Sequence, residues 1–235
     1  MENESAELSL SKVEDAVLGD LEIPKRHIKR FVITGLFLEL ALIMLTRFLQ
    51  IQKGFNFFTE GTYFTWISAI QLVSTGLVAF AIAYLISISE KSKKVSRDVF
   101  AWLGAGFLGL FFSVTEWFSV HEAVAPYSGK VFNYFGLQSV KDSYWDLLIF
   151  SIYVFAAVAV WFFIKKDLYQ FELSKLYLLI GVLLLSIGLI LDTAGSGIFF
   201  VVWEDSFKLL GFFFILSSFL GNLIYRLDKT VNGEA

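Results

Sequence analysis

The sequence predicts an all-α integral membrane protein, a bundle of six transmembrane helices with both termini in the cytoplasm. Three observations predict it. Of the 235 residues, 57% are hydrophobic and only 17% charged, whereas a soluble domain carries roughly 45–50% apolar and about 25% charged residues. Six apolar stretches are long enough to cross hydrocarbon, which takes about 20 helical residues at ~1.5 Å each. The Lys and Arg residues gather at alternate ends of those stretches.

The expected spans are Phe31–Ile51, Phe64–Ile86, Val99–Ser119, Asp146–Ile164, Leu176–Asp192 and Phe207–Tyr225. They must be helices, because an open strand in lipid leaves its peptide groups unpaired. Thirteen basic residues lie on one side: Lys25, Arg26, Lys29 and Arg30, then Lys91, Lys93, Lys94 and Arg97, then Lys165, Lys166 and Lys175, then Arg226 and Lys229. The other side has Lys53, Lys130 and Lys141, with Arg47 and Lys208 at its margin. Positive charge stays in the cytoplasm, which sets the orientation and suggests a plasma membrane location. Trp66, Trp117, Trp145 and Trp203 then mark the outer boundary, and Trp102 and Trp161 the inner one, the depth where an apolar ring with a polar N–H is best placed.

The flanking segments divide the chain into an acidic cytoplasmic tail (1–24), the membrane domain (25–229) and a short cytoplasmic C-terminal tail (230–235). In the first, Ser11-Lys12-Val13-Glu14 fits a capping box, and Val13, Val17 and Leu21 repeat at helical spacing. The pattern predicts either a short helix ending near Pro24 or a solvated tail. Its acidic face is repelled by anionic lipid and suits a protein contact better. These first residues lack the apolar core of a signal peptide, so the first span is expected to direct insertion. Residues 120–145, with Tyr127, Phe132, Tyr134 and Phe135, are expected along the membrane surface. The run from Ile198 to Trp203 is too short to span and too apolar for water. It is expected either to dip into the outer leaflet or to cap the bundle.

Absences narrow the chemistry. The chain has no Cys, which excludes disulfides, thiolate metal sites and a Cys nucleophile. Basic residues lie in juxtamembrane runs rather than on a folded patch, so nucleic acid is not an expected partner. The expected partners are the lipid bilayer and either other membrane subunits or further copies of this chain. Gly104-Ala105-Gly106-Phe107-Leu108-Gly109 spells a dinucleotide pattern, but it lies inside a span with no strand before it. The physical reading is close helix packing through small residues, as for Gly181, Gly188, Ser217 and Gly221.

The informative feature is where ionisable side chains gather. Glu39 sits mid-depth in the first span and Arg47 toward its outer end. Glu60 lies at the outer mouth of the second, and Ser68, Gln71 and Thr75 make a polar stripe down it. The third span carries Ser113, Thr115, Glu116 and Ser119 toward its outer end, followed by His121 and Glu122. Asp192 ends the fifth, and Glu204, Asp205 and Lys208 open the sixth. Charges facing lipid are costly, so the deeper ones should face the bundle interior. The candidate polar cluster is therefore Glu39, Gln71, Glu116, His121, Glu122, Asp192, Glu204, Asp205 and Lys208. Within it Glu116, His121, Glu122, Asp192 and Glu204 have the donor types to hold a divalent metal. The same groups suit proton passage or structural pairing, as in the i,i+4 pair Glu204 and Lys208.

The stretch Phe112 to Glu122 resembles an S-x-D-E-x-x-x-x-H-E element of a group of prokaryotic multi-span membrane proteins. Trp66, Ser68, Gln71 and Leu72 match that group's W-x-S-x-x-Q-L span, and Glu204 to Gly211 its E-E-x-x-E-x-x-G opening of the last span. The resemblance covers most of the membrane region and implies a polar site without naming a reaction. Thr115 and Lys208 stand where the group carries acids. Membrane hydrolases of the alkaline ceramidase and progestin receptor type need a late His-x-x-x-His, and no His follows His121.

Three functions follow, in this order: a non-catalytic subunit or binding component of a membrane assembly, an ion- or proton-coupled transporter, and a metal-dependent hydrolase at the outer leaflet. Three spans per half would invert the halves with respect to each other, which is a transporter signature. No sequence similarity between the halves stands out. Pro24 and Pro126 both lie outside the spans, so broken helices are not signalled.

Overall fold

Apolar segments in lipid must satisfy every peptide group internally, and the computed structural model has helices alone among its described elements. It describes residues 2–53, 63–89, 97–118, 142–194 and 198–232, with side chains described for 25–52, 63–89, 97–118, 151, 154–191 and 201–232. The elements are α1 (Glu2–Lys53), α2 (Tyr63–Ser89), α3 (Arg97–Trp117), α4 (Asp142–Leu168), α5 (Glu172–Ala194) and α6 (Ile198–Val231). Among the described residues five stretches are long and apolar enough to cross a membrane: Lys25–Gln52, Tyr63–Ser89, Arg97–Trp117, Glu172–Leu191 and Val201–Val231.

Two expectations need correction. The tail does not end in a separate helix at Pro24, since α1 runs unbroken from Glu2 to Lys53. Pro24 therefore lies inside a helix, where it removes one i→i−4 hydrogen bond and crowds the carbonyl of residue i−4. The run 198–203 is neither a re-entrant loop nor a cap, because it forms the first turns of α6. No breaker separates Ile198 from Glu204, and Val202 joins a buried cluster with Phe64 and Leu209.

The centre of the bundle is α6. Half of its membrane stretch is buried, against 11% for α1. The most extensive packing is between α5 and α6 and between α2 and α3, followed by α2 on α6 and α1 on α6. The outward faces carry Phe37, Met44, Phe155 and Leu179, all at least 65% exposed. Exposed apolar side chains in this number suit a surface that meets lipid. Inside, Ala79, Ile82 and Trp102 are fully buried beside Leu168 and Phe219. Ile28, Phe171, Phe213 and Tyr225 form a second cluster.

The two principal hairpins, α2–α3 and α5–α6, pack alike at several corresponding positions. A Cβ on Gly76 would stand 2.8 Å from the carbonyl oxygen of Gly106 and near Leu110. A Cβ on Gly181 would stand 2.8 Å from the carbonyl oxygen of Gly211 and near Ile215. Gly106 faces the ring of Phe80, and Gly211 faces Leu185. The Ser113 hydroxyl donates to the Ala69 carbonyl at 2.9 Å, and the Ser218 hydroxyl to the Ser174 carbonyl at 2.7 Å, each across 44 residues. One shift of 105 positions (181 − 76) relates all six pairs, and it also carries the end of α2, Ser89, onto the end of α5, Ala194.

The hairpins are also inverted. The start of α2 (Phe64) packs on the start of α6 (Val202, Leu209), and its later residues (Ala79 to Ile86) pack with Phe219. So α2 runs parallel to α6 while α5, its positional counterpart, runs antiparallel to it. The expected close packing of the glycine-rich segment holds for Gly106 and Gly109. Gly104 has open space, with nothing within 4 Å of an added Cβ.

Candidate functional site

Three polar groupings emerge, two of them assembled from residues singled out in the sequence. The first surrounds Lys208. Glu204 is one turn earlier on α6, so the two ion-pair in the favoured order. Glu116 of α3 and Asp205 also act on the Lys208 ammonium electrostatically. Glu204 is 9% exposed as a residue, and Lys208's side chain keeps 30% of its surface. Two helices thus bring three carboxylates around one cation. Trp66 and Trp117 pack in a tilted arrangement with ring centroids 4.6 Å apart, both partly exposed.

Deeper in the bundle, Gln71 Nε2 donates to Glu39 Oε1 at 2.7 Å, joining α2 to α1. Gln71 is 6% exposed, and it lies five residues, about 7.5 Å along the helix, beyond Trp66. Thr75 continues the stripe, but its hydroxyl donates to the Gln71 carbonyl at 2.8 Å. The second oxygens of both side chains, Glu39 Oε2 and Gln71 Oε1, are buried without a hydrogen-bond partner. Buried polar atoms are normally paired, so such a pair of acceptors calls for an explanation.

The third grouping was missed. Asp167, 7% exposed at the end of α4, accepts from Trp102 Nε1 at 2.9 Å and ion-pairs with Arg226 at 2.8 Å. Arg226 Nε reaches Asn222 Oδ1 at 3.1 Å, and Asn222 Nδ2 donates to the Asp167 carbonyl at 2.9 Å. Trp102 therefore faces into the bundle rather than outward. It is fully buried, edge-on to Phe219 at 5.3 Å, with its N–H satisfied by a carboxylate. The available signal was Asn222, an amide inside an apolar span with an Arg one turn later.

The remaining candidates are not brought together by the described residues. His121, Glu122 and Glu60 lie outside them. Asp192 lies within α5, but its side chain is not among those described. Among the described residues no group of three His, Cys, Asp or Glu side chains converges as a metal site.

Taken together, the fold and these buried polar links define a helical, membrane-embedded protein whose interior charges are held between helices. The profile of a family described as a domain of unknown function, DUF8692, matches residues 30–221. The chain belongs to that family. No curated protein and no solved structure matches it.

Proposed function

We propose that this chain is a six-span transport protein of the plasma membrane, with both termini cytoplasmic, which exposes an interior site alternately to the two sides. The observation that carries this reading is the inverted equivalence of the α2–α3 and α5–α6 hairpins, held in register by one positional shift. Two copies of a unit inserted in opposite senses give a protein two related conformations, one open to each side. A passive subunit has no need of such symmetry, so transport now ranks above the subunit reading. Against the hydrolase reading, Lys208 supplies the counter-charge for Glu116, Glu204 and Asp205 that a metal would otherwise supply.

The links between the halves suit a rocking motion. Near the start of α6 the first half meets the second through Glu116 and Lys208, and near its end through Trp102 and Asp167. Few polar contacts need break at either end, while the intervening α2–α6 contact is apolar.

The absence of native Cys makes the test direct. Ser206→Cys and Ala83→Cys place reporters at opposite ends of the interface between halves, where the native residues are 4% and 2% exposed. In oriented vesicles each should react with an impermeant maleimide from one side only. Cross-linking the bundle shut at one end should raise the rate at the other at least several-fold. Two reporters that never react describe a static bundle and end the reading. Orientation is checked separately: a cysteine at Lys229 should label from the cytoplasm and one at Lys130 from outside.

A further inference from the structure

We infer that Glu39 and Gln71 form a proton-binding site, in which Glu39 takes up one proton on Oε2 and closes an acid–amide pair with Gln71. The stoichiometry follows from the atoms. Gln71 Nε2 already donates to Glu39 Oε1 at 2.7 Å, which leaves one acceptor oxygen on each side chain, buried and without a partner. Two acceptor oxygens cannot satisfy each other. One proton added to the carboxylate converts Oε2 into a donor, and the amide oxygen of Gln71 is the acceptor left for it. The carboxyl then gives one hydrogen bond and receives one, and the negative charge buried in the apolar bundle is gone.

Among the described residues nothing else supplies that charge balance. On α1, Arg47 is two turns away and its guanidinium donates to Gln50 at 2.8 Å. On α2 the flanking polar groups are the neutral Ser68 and Thr75, and the Thr75 hydroxyl is already used. The part of α6 against this stretch of α1 offers the ring of Phe213, seated on Gly35, and the side chain of Leu209. Lys208 is engaged by Glu204. A sodium ion would require about five or six oxygen ligands, and the described surroundings offer two free ones. A proton needs only two.

The site also spans elements that alternating exposure would move, since α1 leans on α6 and α2 belongs to a hairpin. In transport the proton is then the coupling ion. That role rests on the transport reading, whereas the protonation itself does not.

Infrared difference spectroscopy of the full-length protein in lipid nanodiscs reads the carboxyl directly. Between alkaline and acid pH the wild type should gain a protonated-carboxyl C=O band. It should be lost in Glu39→Gln and shifted in Gln71→Leu, where Glu39 remains but its amide acceptor is gone. The Gln71→Leu shift keeps the assignment testable if Glu39→Gln does not fold. Identical wild-type and Glu39→Gln spectra at every pH would overturn the inference. So would a wild-type band that disappears when sodium replaces choline at constant pH, which marks a metal cation in place of the proton. A silent Glu39 leaves the alternating reactivity of Ser206→Cys and Ala83→Cys standing. Unreactive reporters with a titrating Glu39 remove transport and keep the proton site.

Discussion

Asp167→Ala should destabilise the bundle by about 3 kcal/mol, at the lower end of the cost of stripping one partner from a buried pair. The carboxylate holds Trp102 Nε1 and Arg226 together. Its loss leaves a fully buried indole N–H without an acceptor and a guanidinium without its counter-charge. The upper part of the usual range does not apply, because Arg226's side chain keeps 20% of its surface and water screens it. For a chain of this size the fall in melting temperature in detergent is about 6–12 °C. Asp167→Asn should cost roughly half as much, since an amide oxygen still accepts from Trp102. Arg226→Lys should also be damaging despite its charge. Arg226 uses two nitrogens on two partners, Asp167 and Asn222, and a single ammonium cannot reproduce that fork. An Asp167→Ala protein melting within a degree of wild type would reduce the network to decoration. Because Trp102 links the two halves, the same change should also raise the reactivity of Ala83→Cys.

That network also illustrates what was legible in the sequence and what was not. Hydropathy reads the need for lipid, so the helices fall where the apolar stretches predict, extended by a few residues at most ends. It does not say which way a side chain faces. A Trp near the end of a span has the same composition whether it meets headgroups or a buried carboxylate, and so the inward facing of Trp102 was not legible. Lys165, Lys166 and Arg226 served as markers of topology, which hid Asp167 among them. Glu39 and Gln71 were both visible as polar residues in apolar spans, and the structure adds the bond between them and the two unpaired oxygens. Around Lys208 the sequence supplied the members, and the fold supplied their meeting across α3 and α6.

The relation between the halves was the hardest thing to read, because it survives only where backbones touch. Gly76 and Gly181, Gly106 and Gly211, and Ser113 and Ser218 are identical, while most residues between them differ. Those positions make the equivalence measurable. Gly76→Ala and Gly181→Ala should each cost about 1–3 kcal/mol, because the new Cβ would meet a backbone carbonyl of the neighbouring helix at 2.8 Å and cannot turn away. Gly106→Ala and Gly211→Ala should cost less than their partners. What they meet first are the side chains of Phe80 and Leu185, which can move. Gly104→Ala meets nothing within 4 Å and should be neutral or gain up to about 1 kcal/mol from helix propensity. The ordering matters more than any single value, and thermal melts of the five variants in one detergent give it. If Gly76→Ala collapses the protein while Gly181→Ala is tolerated, the hairpins are not energetic equivalents. The case for two related conformations then loses its foundation. Matched losses at both glycines would show that each half is locked by the same contact, so that one motion, run in opposite senses, is available to both.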